Sequence, residues 1–205
     1  MPASAEHHLA LDDALFQTLE AGAPATLRIW ESPVTVVVLG RSGAIARDVD
    51  EAACAADGVD ILRRGSGGGA VLLGPGCVNY SLLLSLEKHA ELRDVCASYG
   101  RILGFVMRAL AVPGLEIRGL SDLALEDRKV SGNAQRRGSR ALLHHGTLLC
   151  GLDARLAARY LKEPHRQPEY RQGRYHEEFI GRLPLSARQI EGRLRQSGAF
   201  DIWTG

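Results

Sequence analysis

The sequence predicts an α+β domain with a mixed, mostly antiparallel β-sheet flanked by α-helices. Three observations carry that expectation. Helix-period and strand-period segments are interspersed without the regular strand-helix alternation of a parallel α/β sheet. The 205 residues, 45% hydrophobic and 24% charged, suffice for one buried core with at most a short appendage. The apolar runs have strand lengths, and none approaches the roughly 20 residues that cross a bilayer.

The first element is a helix in LALDDALFQTLEAG, where Leu9, Leu11, Leu15, Phe16 and Leu19 recur on one face and Gly22 supplies a stop. LRIWE and VTVVVLGR read as strands, the second too continuously apolar to have a solvated face. A helix in DEAACAADG precedes the strand VDILRR, and VNYSLLLSL is the next strand. ELRDVCASYGRILGFVMRALAVPG is the longest helical pattern and stops at Pro113 and Gly114. LEIRGLSDLALEDRKVSGNAQRR reads as a strand, a loop and a hairpin turning at Glu126 and Asp127, followed by the strand ALLHHGTLLCGL. A helix in ARLAARYLK leads into the Pro- and Arg-rich EPHRQPEYRQGRYHEEFIGRLP, and SARQIEGRLRQSG closes the chain as a short helix.

Composition excludes several classes. A formal net charge of +1 gives no global field to recruit nucleic acid. The first residues, MPASAEHHLALDDALF, have neither a basic n-region nor a long apolar h-region, so a cytoplasmic protein without a membrane partner is expected. Cys54, Cys77, Cys96 and Cys150 include no CxxC pair, which disfavours a structural zinc site and a redox dithiol and leaves free thiols.

Three segments carry chemistry. In RRGSGGGAVLLGPGCVNYS, glycines follow a buried strand, where they permit positive φ and let N–H groups approach a ligand without a Cβ in the way. No GK[ST] follows and the next element is a strand, so this is neither a Walker loop nor a dinucleotide fingerprint. A plain surface turn is the alternative, and Arg63 and Arg64 favour a carboxylate or phosphate guest through their guanidinium forks. In DLALEDRKVSGNAQ, Lys129 lies between the hairpin and small residues that permit close backbone approach, a placement suited to a cation on a phosphate or carboxylate oxygen; a solvated surface lysine is the alternative. In HHGTLLC, His144 and His145 have no carboxylate or cysteine at a zinc spacing, so they are assigned a structural or substrate-orienting role.

In order, RRGSGGGAV, NYS, SDLALEDRKVSGNAQ and HHGTLL resemble the lipoate-protein ligases of the biotin and lipoate ligase superfamily, and the resemblance runs from about residue 9 to 185. It implies a biotin/lipoate ligase-like catalytic domain over residues 1–185, with residues 186–205 as a short helical appendage, a vestige of an accessory domain. It also implies a two-step reaction: lipoate and ATP, with Mg²⁺ bridging phosphates, give lipoyl-AMP, and a lysine of a lipoyl carrier domain then takes the acyl group. The carrier would be a dehydrogenase E2 subunit, a glycine-cleavage H-like protein or a dedicated lipoate-binding protein.

By the same resemblance, Arg63, Arg64, Ser66, Gly67, Gly68, Gly69 and Ala70 wrap the activated acyl group and its phosphate, with Asn79 in the same pocket. Lys129 contacts the carboxyl and phosphate oxygens and is the catalytic residue. Asp122, Ser131, Gly132, Asn133 and Ala134 surround the nucleotide and lipoyl carbonyl, and His145, Gly146 and Thr147 close the far wall.

Two departures keep other readings open. About twenty residues follow Pro184, where two-step ligases carry an accessory domain or a small partner subunit, so a partner-dependent or transfer-only enzyme remains possible. GPG is similar to a stretch of the octanoyl-carrier transferases, which would require a cysteine nucleophile, here Cys77 or Cys150. A non-catalytic lipoyl- or adenylate-binding module is a third reading, against which Lys129 stands. Arg155, Arg159, Lys162, Arg166, Arg171, Arg174, Arg182, Arg188, Arg193 and Arg195 bias the last third toward positive charge, suited either to an acidic carrier surface or to ion pairs with Glu169, Glu177 and Glu178.

Overall fold

Ser4 opens the first helix by accepting the His7 N–H, and Asp94 does the same for the longest one through Ala97. The computed structural model describes residues 3–196 and residue 203. In chain order the elements are α1 (Ala5–Glu20), β1 (Thr26–Glu31), β2 (Val36–Leu39), α2 (Ile45–Asp48), α3 (Glu51–Asp57), β3 (Ile61–Arg63), β4 (Val71–Leu73), β5 (Cys77–Ser85) and α4 (Val95–Leu110). There follow β6 (Glu116–Arg118), β7 (Asp122–Leu125), β8 (Arg128–Arg137), β9 (Ala141–Leu149), α5 (Ala154–Tyr160), α6 (His176–Phe179) and α7 (Ala187–Gln196).

Six strands form an antiparallel sheet in the order β1-β5-β9-β8-β7-β6. A second sheet, β3-β2-β4, contains one parallel pair, β2 with β3. The α+β expectation of a mixed, mostly antiparallel sheet flanked by helices therefore holds. Among the described residues no helix is long and apolar enough to cross a membrane.

Alternation along β5 shows how the layers are set. Val78, Tyr80, Leu82 and Leu84 face α4, where Ile102, Leu103, Phe105, Val106 and Leu110 form the main core with Ile190 and Leu194 of α7. Ser81 and Leu83 face α1, with Leu83 packed beside Phe16 and Leu19. Each fully buried Leu or Phe of this core stabilises the fold by about 1.5–3 kcal/mol, so the sheet is held firmly from both sides.

Three details differ from the expectation. β4 is a three-residue strand between glycine-rich turns, too short to leave a periodic signal. The longest helix begins only at Val95, because Asp94 caps it and residues 90–92 form a separate 3-10 turn. α7 belongs to the main core through Ile190 and Leu194 and is tied to α4 by Arg193 donating to the Leu110 carbonyl. The rest of the expected appendage, residues 197–202 and 204–205, lies outside the described residues. The hairpin turn falls at Glu126 and Asp127, with φ of 50° and 60°, the left-handed pair that a two-residue turn matched to strand twist demands.

Candidate active site

The β7–β8 pairing contains a register shift that aims the central lysine. Leu123 pairs with Ser131 but Ala124 pairs with Lys129, so Val130 is an extra residue on β8. Strict alternation would put Lys129 on the same side as Ser131; the bulge turns it to the side of Gly132 and Asp122. There Lys129 Nζ lies 2.8 Å from Asp122 Oδ1, with the lysine side chain 30% exposed and the aspartate 8%. A Cβ on residue 132 would sit 2.8 Å from Lys129 Cε and 2.9 Å from Nζ, so glycine at this position gives the lysine its path across the strand. The Gly132 N–H donates to Thr147 Oγ1 at 3.3 Å, and Thr147 stands opposite Asn79 in the β5–β9 ladder. Directly opposed residues share a face, so Asn79, Thr147, His145, Ala134, Gly132 and Asp122 line one side of the sheet, with Lys129 turned toward it.

The glycine loop, residues 64–70, is moored to this face. Ser66 Oγ lies 2.5 Å from His145 Nε2 and accepts from Arg64 Nε at 3.0 Å. The serine oxygen, with two lone pairs and one O–H, can serve both the guanidinium and the imidazole. Burial, then the charge of Arg64, pushes His145 down to about 3, which keeps it neutral. Gly68 takes a φ of 93°, and its carbonyl oxygen would lie 2.1 Å from any Cβ on Gly40, so two glycines allow the loop to rest on the end of β2. A Cβ on Gly67 or Gly69 would meet nothing within 4 Å, while Ala70 packs into the small-sheet core.

The expectation that Arg63 and Arg64 present their forks to an anion is not what the geometry displays. Arg64 Nη1 donates to the Val38 carbonyl at 3.1 Å, and Nη2 to the carbonyls of Gly67 and Gly69 at 2.8 and 2.9 Å. Arg63 Nη1 donates to the carbonyls of Gly40, Arg41 and Gly43. The reason is backbone accounting: a loop without strand partners leaves carbonyls that need donors, and two guanidinium groups supply them. Burial pulls Arg64 down to about 10, still a cation at neutral pH. The arginines shape the loop, and what it offers outward is its glycine backbone.

Three sequence-predicted residues point away from this face. Ser131 is buried beneath β8, and Asn133 donates to the Ser121 carbonyl at 2.8 Å and to Ser131 Oγ at 3.1 Å while accepting from Tyr80. Gly146 is required there because a Cβ would fall 1.8 Å from Asn133 Oδ1. These residues hold the sheet from behind; only their backbone reaches the site region. His144, pushed down to about 3 by burial, belongs to the same sealed layer, between Tyr80 and Gln135.

Sequence reasoning passed over Tyr170. Its O–H donates to Asp122 Oδ2 at 2.9 Å, and its ring packs against Phe179, 5.0 Å away between centroids. It sits in the Pro- and Arg-rich segment, whose tertiary destination no local pattern discloses.

Many of the C-terminal arginines are paired, though not with Glu169, Glu177 or Glu178: Arg155 with Asp153, Arg159 with Asp57, Arg171 with Glu163, Arg174 with Asp127 and Arg195 with Glu191. All four cysteines are free. Cys77 is fully buried in the cluster with Trp30 and Leu149, and burial pushes its thiol up, away from the thiolate a nucleophile needs. Cys150 is also raised by burial. Among the described residues, no three His, Cys, Asp or Glu side chains gather where they could hold a metal ion.

Comparison with known proteins gives this arrangement its family. The family described as the lipoyl protein ligase A/B catalytic domain matches residues 4–178. An Aeropyrum pernix lipoate-protein ligase A homologue is 30% identical over 80% of this chain and 61% of its own length. An octanoyl-[GcvH]:protein N-octanoyltransferase of Kyrpidia tusciae is 29% identical over 91% of this chain and 67% of its own length. A Psychrobacter cryohalolentis lipoate-protein ligase A is 32% identical over 77% of this chain but only 44% of its own length, so the chain spans well under the whole of such relatives. The fold is shared with the bipartite lipoate protein ligase of Thermoplasma acidophilum, at a TM-score of 0.80 and 22% identity over 98% of this chain and 80% of that one. A lipoate-protein ligase A structure bound with ATP gives the same TM-score of 0.80, at 22% identity over 98% of this chain and 81% of that one. Matched over residues 4–178, the chain belongs to the lipoyl protein ligase A/B catalytic-domain family.

Proposed function

We propose that the chain is a lipoate-protein ligase that activates lipoate with Mg²⁺-ATP to lipoyl-AMP and passes the lipoyl group to a lysine of a lipoyl carrier domain. The observation that supports this most directly is Lys129, partly exposed on the glycine-loop side of the sheet and held to Asp122 at 2.8 Å. In the first step a lipoate carboxylate oxygen attacks the α-phosphorus and pyrophosphate leaves. In the second, the carrier amine attacks the acyl carbonyl, AMP leaves with the bonding pair and the amine proton goes to solvent. Both steps develop negative charge beside a phosphate, which one ammonium and the N–H groups of Gly67, Gly68 and Gly69 can offset without a covalent enzyme intermediate. Mg²⁺ enters with ATP as part of the substrate. Residues 1–185 are assigned as the catalytic domain, and an accessory subunit remains part of the proposal to be tested.

The resemblance to the Kyrpidia octanoyltransferase supports a second reading, transfer from an octanoyl carrier, although the buried Cys77 is poorly suited to be its nucleophile. One experiment separates the readings: the purified chain, lipoate, Mg²⁺-ATP and an apo lipoyl carrier domain, with the carrier read by intact mass. A lipoyl mass gain that needs ATP supports the ligase. Gain only from supplied lipoyl-AMP points to a missing adenylation partner, and gain only from an octanoylated carrier overturns the ligase in favour of transfer.

A further inference from the structure

The geometry points to Tyr170 as a positioning residue that shares the Asp122 carboxylate with Lys129 and so keeps the lysine free to engage a substrate oxygen; the substrate half of this rests on the ligase reading above. Asp122 has two oxygens, and among the described residues each has one donor: Lys129 Nζ at 2.8 Å on Oδ1 and the Tyr170 hydroxyl at 2.9 Å on Oδ2. An ammonium carries three N–H donors. While the phenol occupies Oδ2, the lysine meets only one oxygen and retains donors for an incoming carboxylate or phosphate.

Tyr170 is itself firmly placed. Arg174 Nη2 donates to the Tyr170 carbonyl at 2.6 Å and also reaches the Asp127 carbonyl in the β7–β8 turn at 3.0 Å. Phe179, against which the tyrosine ring leans, lies beneath the guanidinium groups of Arg171 and Arg174, 4.8 and 5.4 Å from its centroid. The same segment grips the lysine's backbone, since the Gly181 N–H donates to the Lys129 carbonyl at 2.8 Å and Ile180 bridges to Lys129. Residues 170–181 thus fix both the strand that bears the lysine and the acid that pairs with it. Burial, then the charge of Asp122, pushes the Tyr170 phenol up, so it stays a donor across the working pH range.

Tyr170→Phe keeps the ring and removes only the hydroxyl. Asp122 is almost entirely buried, so its Oδ2 must find another donor, and the Lys129 ammonium already on Oδ1 has two further N–H groups to give. The carboxylate then grips Lys129 with both oxygens. Limiting acetic anhydride and peptide mass spectrometry read this in the unliganded protein, with exposed Lys88 as the internal reference. The Lys129 to Lys88 labelling ratio is expected to fall about fivefold in Tyr170→Phe. In turnover, kcat for lipoyl-AMP formation falls while KM for lipoate holds, which loss of packing alone would not produce. An unchanged or higher labelling ratio overturns the proposal whatever the activity. A fallen ratio in a protein whose wild type lipoylates no carrier, neither with lipoate and ATP nor from supplied lipoyl-AMP, upholds the positioning role and rejects the ligase reading.

Discussion

The two faces of the six-stranded sheet are built from alternate residues of the same strands, and they treat polar groups in opposite ways. Behind the sheet, Tyr80, Asn133, Ser131, His144 and Gln135 bond to one another under α4. In front, Lys129 is partly exposed and paired with Asp122, and the glycine loop is tethered by Ser66 and His145. That polar layer is rigid because a lost bond leaves Tyr80, Ser131 or His144 buried and unsatisfied. A face that must accept a ligand needs donors in reserve. Adjacent positions such as Gly132 and Asn133 therefore do different work: one makes room for the lysine, the other anchors the strand that carries it.

Replacing the front cation tests the contrast most severely. Lys129→Ala is expected to lower carrier lipoylation about 10²–10³-fold, while the protein still folds with a loss of about 1–3 kcal/mol because buried Asp122 keeps only its Tyr170 donor, measured by intact mass and calorimetry. Failure to fold would mean the lysine is a core group and the faces are not distinct.

Acid should strike both faces through their histidines. His144 and His145 stay neutral when folded, at about 3, whereas unfolded histidine titrates near 6.5. The unfolded chain alone gains these protons as pH falls below 6.5, so their stabilisation is complete above that pH and erodes toward 3. The limiting slope for two protons is about 2.7 kcal/mol per pH unit. Urea titrations between pH 7 and 4 would show it, and His144→Phe should halve the histidine contribution.

Two back-face changes should leave chemistry alone. Gly146→Ala forces a methyl onto Asn133 Oδ1, which Tyr80 and Ser121 hold in place, and should destabilise by about 1–3 kcal/mol in urea unfolding. Tyr80→Phe removes the donor to the same oxygen and should cost about 1 kcal/mol. If Tyr80→Phe instead abolished turnover while remaining stable, the sealed layer would be part of the site.

Much of the fold was legible because its signals are local. The period of α1 and α4, the apolar run of β2 and the two-residue hairpin at Glu126 and Asp127 depend on neighbours a few positions apart. The glycine loop and the lysine segment stood out as candidate site material for the same reason, and their role there is part of the proposal. Their detailed roles were less so: Arg63 and Arg64 satisfy loop carbonyls, and Ser131, Asn133 and Gly146 turn their side chains or side-chain space to the rear.

By itself, then, the sequence determined the main element types and the α+β class and marked out the segments of the proposed site, because backbone propensity, periodicity and motif spacing are written along the chain. Tertiary structure alone decided which face each of those residues serves. A single extra residue, Val130, reverses the direction of Lys129, and Tyr170 reaches Asp122 across 48 positions of chain. Side-chain direction in a strand is set by its register with a partner, and register comes from packing between distant elements.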